Sequence, residues 1–387
     1  MICVLLIALL AGAATAFLIV RFPHLHLRAT SDTAFGESPQ KFHHETTPRI
    51  GGVAVIIGLL VGLLIAVQNE ALAANRYGMW LFCIAPVFFT GLAEDISKKV
   101  GSRWRLLAAF AAAALGWFLL GGKLSPPGTE QLASQLFYPA LCFAFTLLAV
   151  GGVTHAFNII DGLNGLLGGV AILIVSGLAW MSHKVGDPEL FAVCLSLLGG
   201  VTGFLFFNFP LGKLFAGDAG AYLIGFLIAE ISVLLTTRHP EVSPWFPMVL
   251  VAHPVTEVLF SIYRRRFLKN LPVDRPDALH LHSLLYKRIA IWIWDERPSP
   301  ATKTLSNAFA AVVLWLLMLL PLGLALLFHD NDCLLIVGGV FFVLCYLSLY
   351  WGLVRFKTPR WLIWTKSIFR KRKVGKVSQP ENPVCRD

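Results

Sequence analysis

The chain has 387 residues, 57% of them hydrophobic and 14% charged, with a mean hydropathy of +0.71. A soluble domain of this size carries roughly 25% charged residues, which excludes a water-soluble globular protein. The formal charge of +10 comes without the aromatic-interleaved basic surface of an RNA-binding chain, so no nucleic-acid partner is expected. The seven cysteines (3, 83, 142, 194, 333, 345 and 385) form no Cys-x-x-Cys pair and read as apolar packing residues.

A helix needs about 17–25 apolar residues to cross a hydrocarbon core of ~30 Å. Runs of that kind fall at 2–20, 50–68, 78–93, 106–120, 137–153, 165–181, 190–207, 219–235, 245–262, 306–327 and 333–353. The first run has no basic stretch before it and Arg21 after it, so it reads as a retained helix and not a signal peptide. The expectation is an all-α polytopic membrane protein of about eleven transmembrane helices. One membrane domain spans 1–354, and a basic tail spans 355–387.

Lys and Arg favour cytoplasmic loops. With the N-terminus outside, 28 of the 32 Lys and Arg residues fall on the inner side, which leaves Arg76, Lys123, Lys184 and Arg238 outside. The C-terminus is then cytoplasmic, and its 370–376 stretch faces anionic headgroups.

The inner loops hold the polar chemistry. The first ends in Lys41, His43, Pro48, Arg49, Gly51 and Gly52. Lys41, His43 and Arg49 suit phosphate oxygens; the plain alternative is positive-inside anchoring plus a turn. The second carries Glu94 and Asp95, adjacent carboxylates that repel unless a cation or proton sits nearby. Mg²⁺ or a base near a phosphate suits them; the alternative is a solvated end paired with Lys98 and Lys99.

The third loop has no Lys or Arg. It reads Asn158-Ile-Ile-Asp161-Gly162-Leu-Asn164-Gly165, directional hydrogen-bonding groups beside glycines that permit close backbone approach. A capping turn is the alternative. The fourth holds Asn208, Pro210, Lys213, Phe215, Gly217 and Asp218. Asp218 is either a helix cap or a metal ligand, and Phe215 either stacks on a base or packs in the core. The fifth runs from Arg264-Arg265-Arg266 to His280-Leu-His282-Ser283. Two histidines at i and i+2 share a face on an extended segment, and phosphate contact fits them better than zinc. Glu230 and Glu257 lie inside apolar runs, where an ionisable group is costly. Trp292 and Trp294 suit interface anchoring, and His24 and His26 receive no role.

In this order, the Pro48-Arg49-Ile-Gly51-Gly52 run, the Glu94-Asp95 pair, the Asn158–Gly165 loop, the Asn208–Asp218 loop and His280-Leu-His282 resemble the polyprenyl-phosphate N-acetylhexosamine-1-phosphate transferase family. The match extends from about 41 to 288. The resemblance implies attack of undecaprenyl phosphate on a UDP-N-acetylhexosamine, with UMP released, at the cytoplasmic face of the bacterial inner membrane. It implies Mg²⁺ (or Mn²⁺) on Asp218, and Glu94 and Asp95 orienting or deprotonating the lipid phosphate or assisting the metal. Asn158, Asp161, Asn164, Asn208 and Phe215 would lie on the nucleotide-sugar side. Lys41, His43, Arg49, Lys213, His280 and His282 would hold phosphates. Lipid-linked O-antigen or capsule assembly, and a homodimer, are further expectations. Glu94 and Glu257 stand where the family has Asp, Ala221 where it has Ser, Ser283 where it has His, and Asn164 where Asp is frequent; these departures mark a divergent branch.

Three alternatives remain. A phospho-MurNAc-pentapeptide translocase is disfavoured by the histidine-poor 280–283 run. A secondary transporter would place its charges at midplane, which only Glu230 and Glu257 fit. An inactive scaffold would tolerate Asp218→Asn and Asp161→Asn.

Overall fold

The computed structural model describes residues 1–32, 47–268, 270, 279–294 and 300–355. Lys41 and His43, the middle of the fifth loop and the basic tail lie outside the described residues. In chain order the elements are α1 (Ile2–Arg21), α2 (Leu27–Thr30), β1 (Ser31–Asp32), β2 (Thr47–Pro48), α3 (Gly51–Gln68), α4 (Ala74–Ser97), α5 (Ser102–Leu115), α6 (Tyr138–Ile160), α7 (Leu166–Lys184), α8 (Pro188–Asn208), α9 (Gly217–Arg238), α10 (Trp245–Leu250), α11 (Ala252–Tyr263), α12 (Leu281–Trp294), α13 (Pro300–Leu327) and α14 (Asp332–Val354). β1 and β2 form one antiparallel pair, Ser31 opposite Pro48.

Among the described residues, ten helices are long and apolar enough to cross a membrane. The chain is a polytopic all-α membrane protein. The run expected at 245–262 is not one helix but two, α10 and α11, meeting at Val251. Pro254 accounts for the break: it has no N–H for the Leu250 carbonyl and is tolerated only in a first turn, where α11 places it.

The hub is α9. Its apolar stretch is 89% buried, against 28% for α1 and for α14. Helices α3, α4 and α6 pack on it, while α1, α3 and α8 form a tight triplet. That triplet closes backbone to backbone: a Cβ on Gly58 would come within 2.6 Å of Gly200 Cα. Small residues permit such approach, which matters where lipid provides no hydrophobic drive between helices.

Helix direction sorts the polar residues. Glu94 and Asp95 end α4, Asn158 ends α6, Asn208 ends α8, and Asp218 begins α9. All therefore sit at one end of the bundle. At the other end, Arg76 pairs with Glu189 (2.8 Å), and Arg238 pairs with Asp187 (3.2 Å) and Glu189 (3.1 Å). These two arginines are thus neutralised, and they tie the start of α4 and of α8 to the end of α9.

Candidate active site

The site is built around the start of α9. Both oxygens of Asp95 accept from its first backbone amides: Oδ1 from Asp218 N and Oδ2 from Ala219 N, each at 2.9 Å. The Asp95 side chain is fully buried. It satisfies amides that have no intrahelical partner, and its charge complements the helix dipole. Asp95 therefore lies beneath Asp218 and braces the helix start. Glycines make this approach feasible. A Cβ on Gly91 would come within 2.6 Å of Ala219 Cα. Gly217 has φ +69° and lies against the Arg49 carbonyl and the Asp95 carboxylate, where no side chain fits.

The first and fourth loops interlock through backbone. Phe215 N donates to Pro48 O (2.9 Å), Gly51 N to Phe215 O (2.8 Å) and Gly52 N to Ala216 O (2.8 Å). Two motifs some 165 residues apart in sequence are thus one structural unit. It points Arg49 at the carboxylates: Nη2 lies 3.5 Å from Asp218 Oδ1 and 4.0 Å from Asp95 Oδ1.

Asp218 has further partners. Arg105, on α5, ion-pairs with its Oδ2. Asn158 Nδ2 donates to its Oδ1 at 3.1 Å. The Arg105 guanidinium lies 5.9 Å over the Tyr222 ring, and Tyr222 packs edge-on against His155. In the sequence Arg105 reads only as a topology charge; its pairing with Asp218 depends on how α5 packs beside α9. Its spacing ten residues after Asp95 was the available clue.

The third and fourth loops are held by asparagines. Asn208 Oδ1 accepts from Gly165 N (2.6 Å), and its Nδ2 donates to Leu214 O (2.8 Å). Asn164 Nδ2 donates to Pro210 O (3.0 Å), and its backbone N to Asn307 Oδ1 (2.6 Å). Asn164 and Asn208 are buried and staple the third loop to the fourth. Asn307, on α13, was invisible because its partner lies 143 positions away.

Asp161 follows α6 and is half-buried. Burial pushes its carboxyl up to about 7, with the Arg49 guanidinium opposing the rise. Arg49 therefore couples Asp161 to Asp218. Lys213 is exposed, and Phe215 is half-buried at the same end of the bundle. Glu94 Oε2 accepts from Val100 N at 2.7 Å, so its extra methylene closes the α4–α5 turn.

The histidines join the third loop. His280 precedes α12 and His282 lies in its first turn, yet their rings stack in parallel, 5.4 Å apart at 3°. The expected extended segment is instead a helix start. His282 Nε2 faces Gly162, where a Cβ would come within 2.5 Å. Glu257, on α11, accepts from His280 Nδ1 at 2.9 Å.

Seven expected residues thus gather around Asp218 or its adjoining loops: Arg49, Asp95, Asn158, Asn164, Asn208, His280 and His282. The arrangement is a carboxylate on a helix N-terminus, faced by two guanidiniums and an amide, at one end of a membrane bundle. It suits a polyanionic substrate whose charge the arginines share.

Comparison with known proteins agrees. The profile of glycosyl transferase family 4 matches residues 77–236. A probable undecaprenyl-phosphate N-acetylglucosaminyl 1-phosphate transferase of Bacillus subtilis strain 168 is 28% identical over 254 residues, 64% of this chain and 68% of that protein. An undecaprenyl-phosphate alpha-N-acetylglucosaminyl 1-phosphate transferase of Yersinia pestis is 28% identical over 260 residues, with the same coverage of 64% and 68%. A phospho-N-acetylmuramoyl-pentapeptide-transferase of Rubrobacter xylanophilus is 26% identical over 290 residues, 68% of this chain and 86% of that protein. The transporter and scaffold alternatives fall with these matches. The matched stretch contains Asp95, Arg105, Asn158, Asp161 and Asp218; residues 77–236 thus carry the glycosyl transferase family 4 pattern, and with these relatives the chain is a membrane-embedded phosphosugar transferase.

Proposed function

We propose that the protein transfers an N-acetylhexosamine 1-phosphate from a UDP-sugar to undecaprenyl phosphate. An oxygen of the lipid phosphate attacks the sugar-linked phosphorus, a new P–O–P bond forms, and the bond to UMP breaks. The product, undecaprenyl-diphosphate-sugar, starts a lipid-linked surface polysaccharide at the cytoplasmic face of the bacterial plasma membrane. One observation carries this reading: Arg49, Arg105 and Asn158 converge on Asp218 at one end of the bundle, beside the Asp161 loop.

Both substrates are polyanionic, so positioning and charge neutralisation dominate such a reaction. Arg49 and Arg105 hold phosphate oxygens. Asn158 and Asp161 orient the donor, with Phe215 against its base and Lys213, His280 and His282 on its phosphates. Lys41 and His43 belong to the same phosphate-holding set. Asp95 keeps the start of α9 rigid, and Glu94 fixes the turn that leads to Arg105.

The donor set fits Mg²⁺, with Mn²⁺ as the alternative. Among the described residues no group of three or more His, Cys, Asp or Glu is arranged to hold a metal unaided. Mg²⁺ is commonly held through one or two carboxylates, with substrate phosphates and water completing its shell. Asp218 is that carboxylate. When bound, the ion neutralises charge developing on the diphosphate.

A second reading, a phospho-MurNAc-pentapeptide transferase, is supported by the Rubrobacter relative. One assay separates the two: UMP release by purified protein with undecaprenyl phosphate, Mg²⁺, a panel of UDP-N-acetylhexosamines and UDP-MurNAc-pentapeptide. Release that requires lipid phosphate and an N-acetylhexosamine donor is expected. Folded protein that releases UMP with none of the donors would overturn the proposal.

A further inference from the structure

Glu257 sits in an apolar run, and the reaction outlined above gives it no part. It is 2% exposed, yet its carboxylate is fully engaged. Oε1 accepts from His280 Nδ1 and from Leu281 N, each at 2.9 Å, and Oε2 accepts from the Tyr346 hydroxyl at 2.8 Å. Leu281 is the first residue of α12. One side chain on α11 therefore caps α12, orients the histidine just before it, and ties both to α14.

A carboxylate that binds one nitrogen of an imidazole decides the tautomer and aims the other nitrogen. Here the proton is placed on Nδ1, and Nε2 is the nitrogen that Glu257 does not hold. The stack on His282 restricts rotation of the His280 ring, and His282 itself rests against Gly162 in the loop of Asp161. Arg264 secures the same turn from below: its Nη1 donates to Leu279 O (2.8 Å) and to the Tyr350 hydroxyl (2.7 Å).

We infer that Glu257 is a positioning residue of the transferase, which locks His280 so that its Nε2 addresses the phosphates of the nucleotide-sugar. The inference rests on the proposed reaction for its purpose. Its geometry is independent of that reaction. Glu257 touches no substrate and acts only through His280.

Two measurements test it. The first is nitrogen NMR of histidine-labelled protein in nanodiscs, with the His280 signal assigned by its loss in His280→Asn. The expected spectrum has His280 protonated at Nδ1. A ring protonated only at Nε2 would overturn the inference whatever the activity. The second is steady-state UMP release by Glu257→Gln, an exchange that keeps shape and removes charge. We expect kcat to fall about 10- to 100-fold, as when the carboxylate partner of a metal-bound histidine is removed, with KM for the UDP-sugar within about threefold. A kcat equal to wild type would also overturn it. If Glu257→Gln fails to fold, the wild-type spectrum still decides. If wild type releases no UMP, the proposed reaction fails, and the placement of the ring stands or falls on the spectrum alone.

Discussion

Asp95 and Asp218 are adjacent carboxylates with opposite duties. Asp95 takes the backbone amides of Asp218 and Ala219 and is fully buried, whereas Asp218 turns its side chain to Arg49, Arg105 and Asn158. One is support for the helix start and the other is presented from it. Substitutions at the two positions should fail in different ways.

Asp218→Ala is expected to abolish UMP release, by at least about 1,000-fold if the carboxylate organises the ion and the diphosphate, while membrane insertion and detergent stability stay near wild type. Mg²⁺ titration of residual turnover checks the assignment. Activity within tenfold of wild type would remove Asp218 from the metal role.

Asp95→Asn should act through stability. An amide offers one acceptor where the start of α9 presents two amides, and a buried unsatisfied donor costs about 1–3 kcal/mol. The thermal midpoint in detergent should drop together with kcat. A midpoint at the wild-type value would show that the brace is dispensable.

The glycines offer a graded comparison. A Cβ on Gly52 would overlap the backbone of Gly220, and one on Gly91 would press on Ala219 Cα at 2.6 Å, whereas one on Gly152 meets nothing within 4 Å. Overpacking against backbone costs about 1–3 kcal/mol. Gly52→Ala and Gly91→Ala should lower the melting midpoint and separate Arg49 or Asp95 from α9. Gly152→Ala should match wild type in both stability and turnover.

Asp161 supplies a pH signature. Its carboxyl in the folded protein, at about 7, lies above the ordinary 3.8, so the fold favours the protonated form. That contribution to stability is fully present below about pH 4 and is lost as pH rises through 7. Metal-free protein in chelator should therefore melt lower at pH 8 than at pH 5.5, and Asp161→Asn should flatten the difference. An unchanged pH slope in the variant would place the titration elsewhere.

Glu230 is fully buried in α9 and packed on Gly116 and Gly122, and among the described residues neither carboxylate oxygen has a hydrogen-bond partner. An amide of the same shape removes an ionisable group from an apolar site in which no described residue hydrogen-bonds to it. Glu230→Gln is expected to leave turnover unchanged and to hold or raise the melting midpoint at pH 8. A loss of activity there would give this carboxyl a part in the cycle.

Much of this could be read in the chain itself. Apolar run length decides which segments cross a membrane, because the bilayer demands it locally. Alternation of spans then sends Glu94–Asp95, Asn158–Gly165, Asn208–Asp218 and His280–His282 to one end, and the structure brings these segments together there. Residue chemistry makes Asp218 a candidate, and the structure gathers Arg49, Arg105 and Asn158 on it. Partnership was not legible. Asp95 and Asp218 look alike as letters, yet one serves amides 123 and 124 positions away. Asn164 and Asn208 read as polar loop residues, and only the packed loops show which backbone groups they bind. Arg105 looked like a topology charge, Glu257 an isolated anomaly and Asn307 nothing at all. The reason is physical: a span is a property of some twenty consecutive residues, whereas a hydrogen bond between helices depends on how α4, α6, α9, α11 and α13 pack, which no local stretch of sequence encodes.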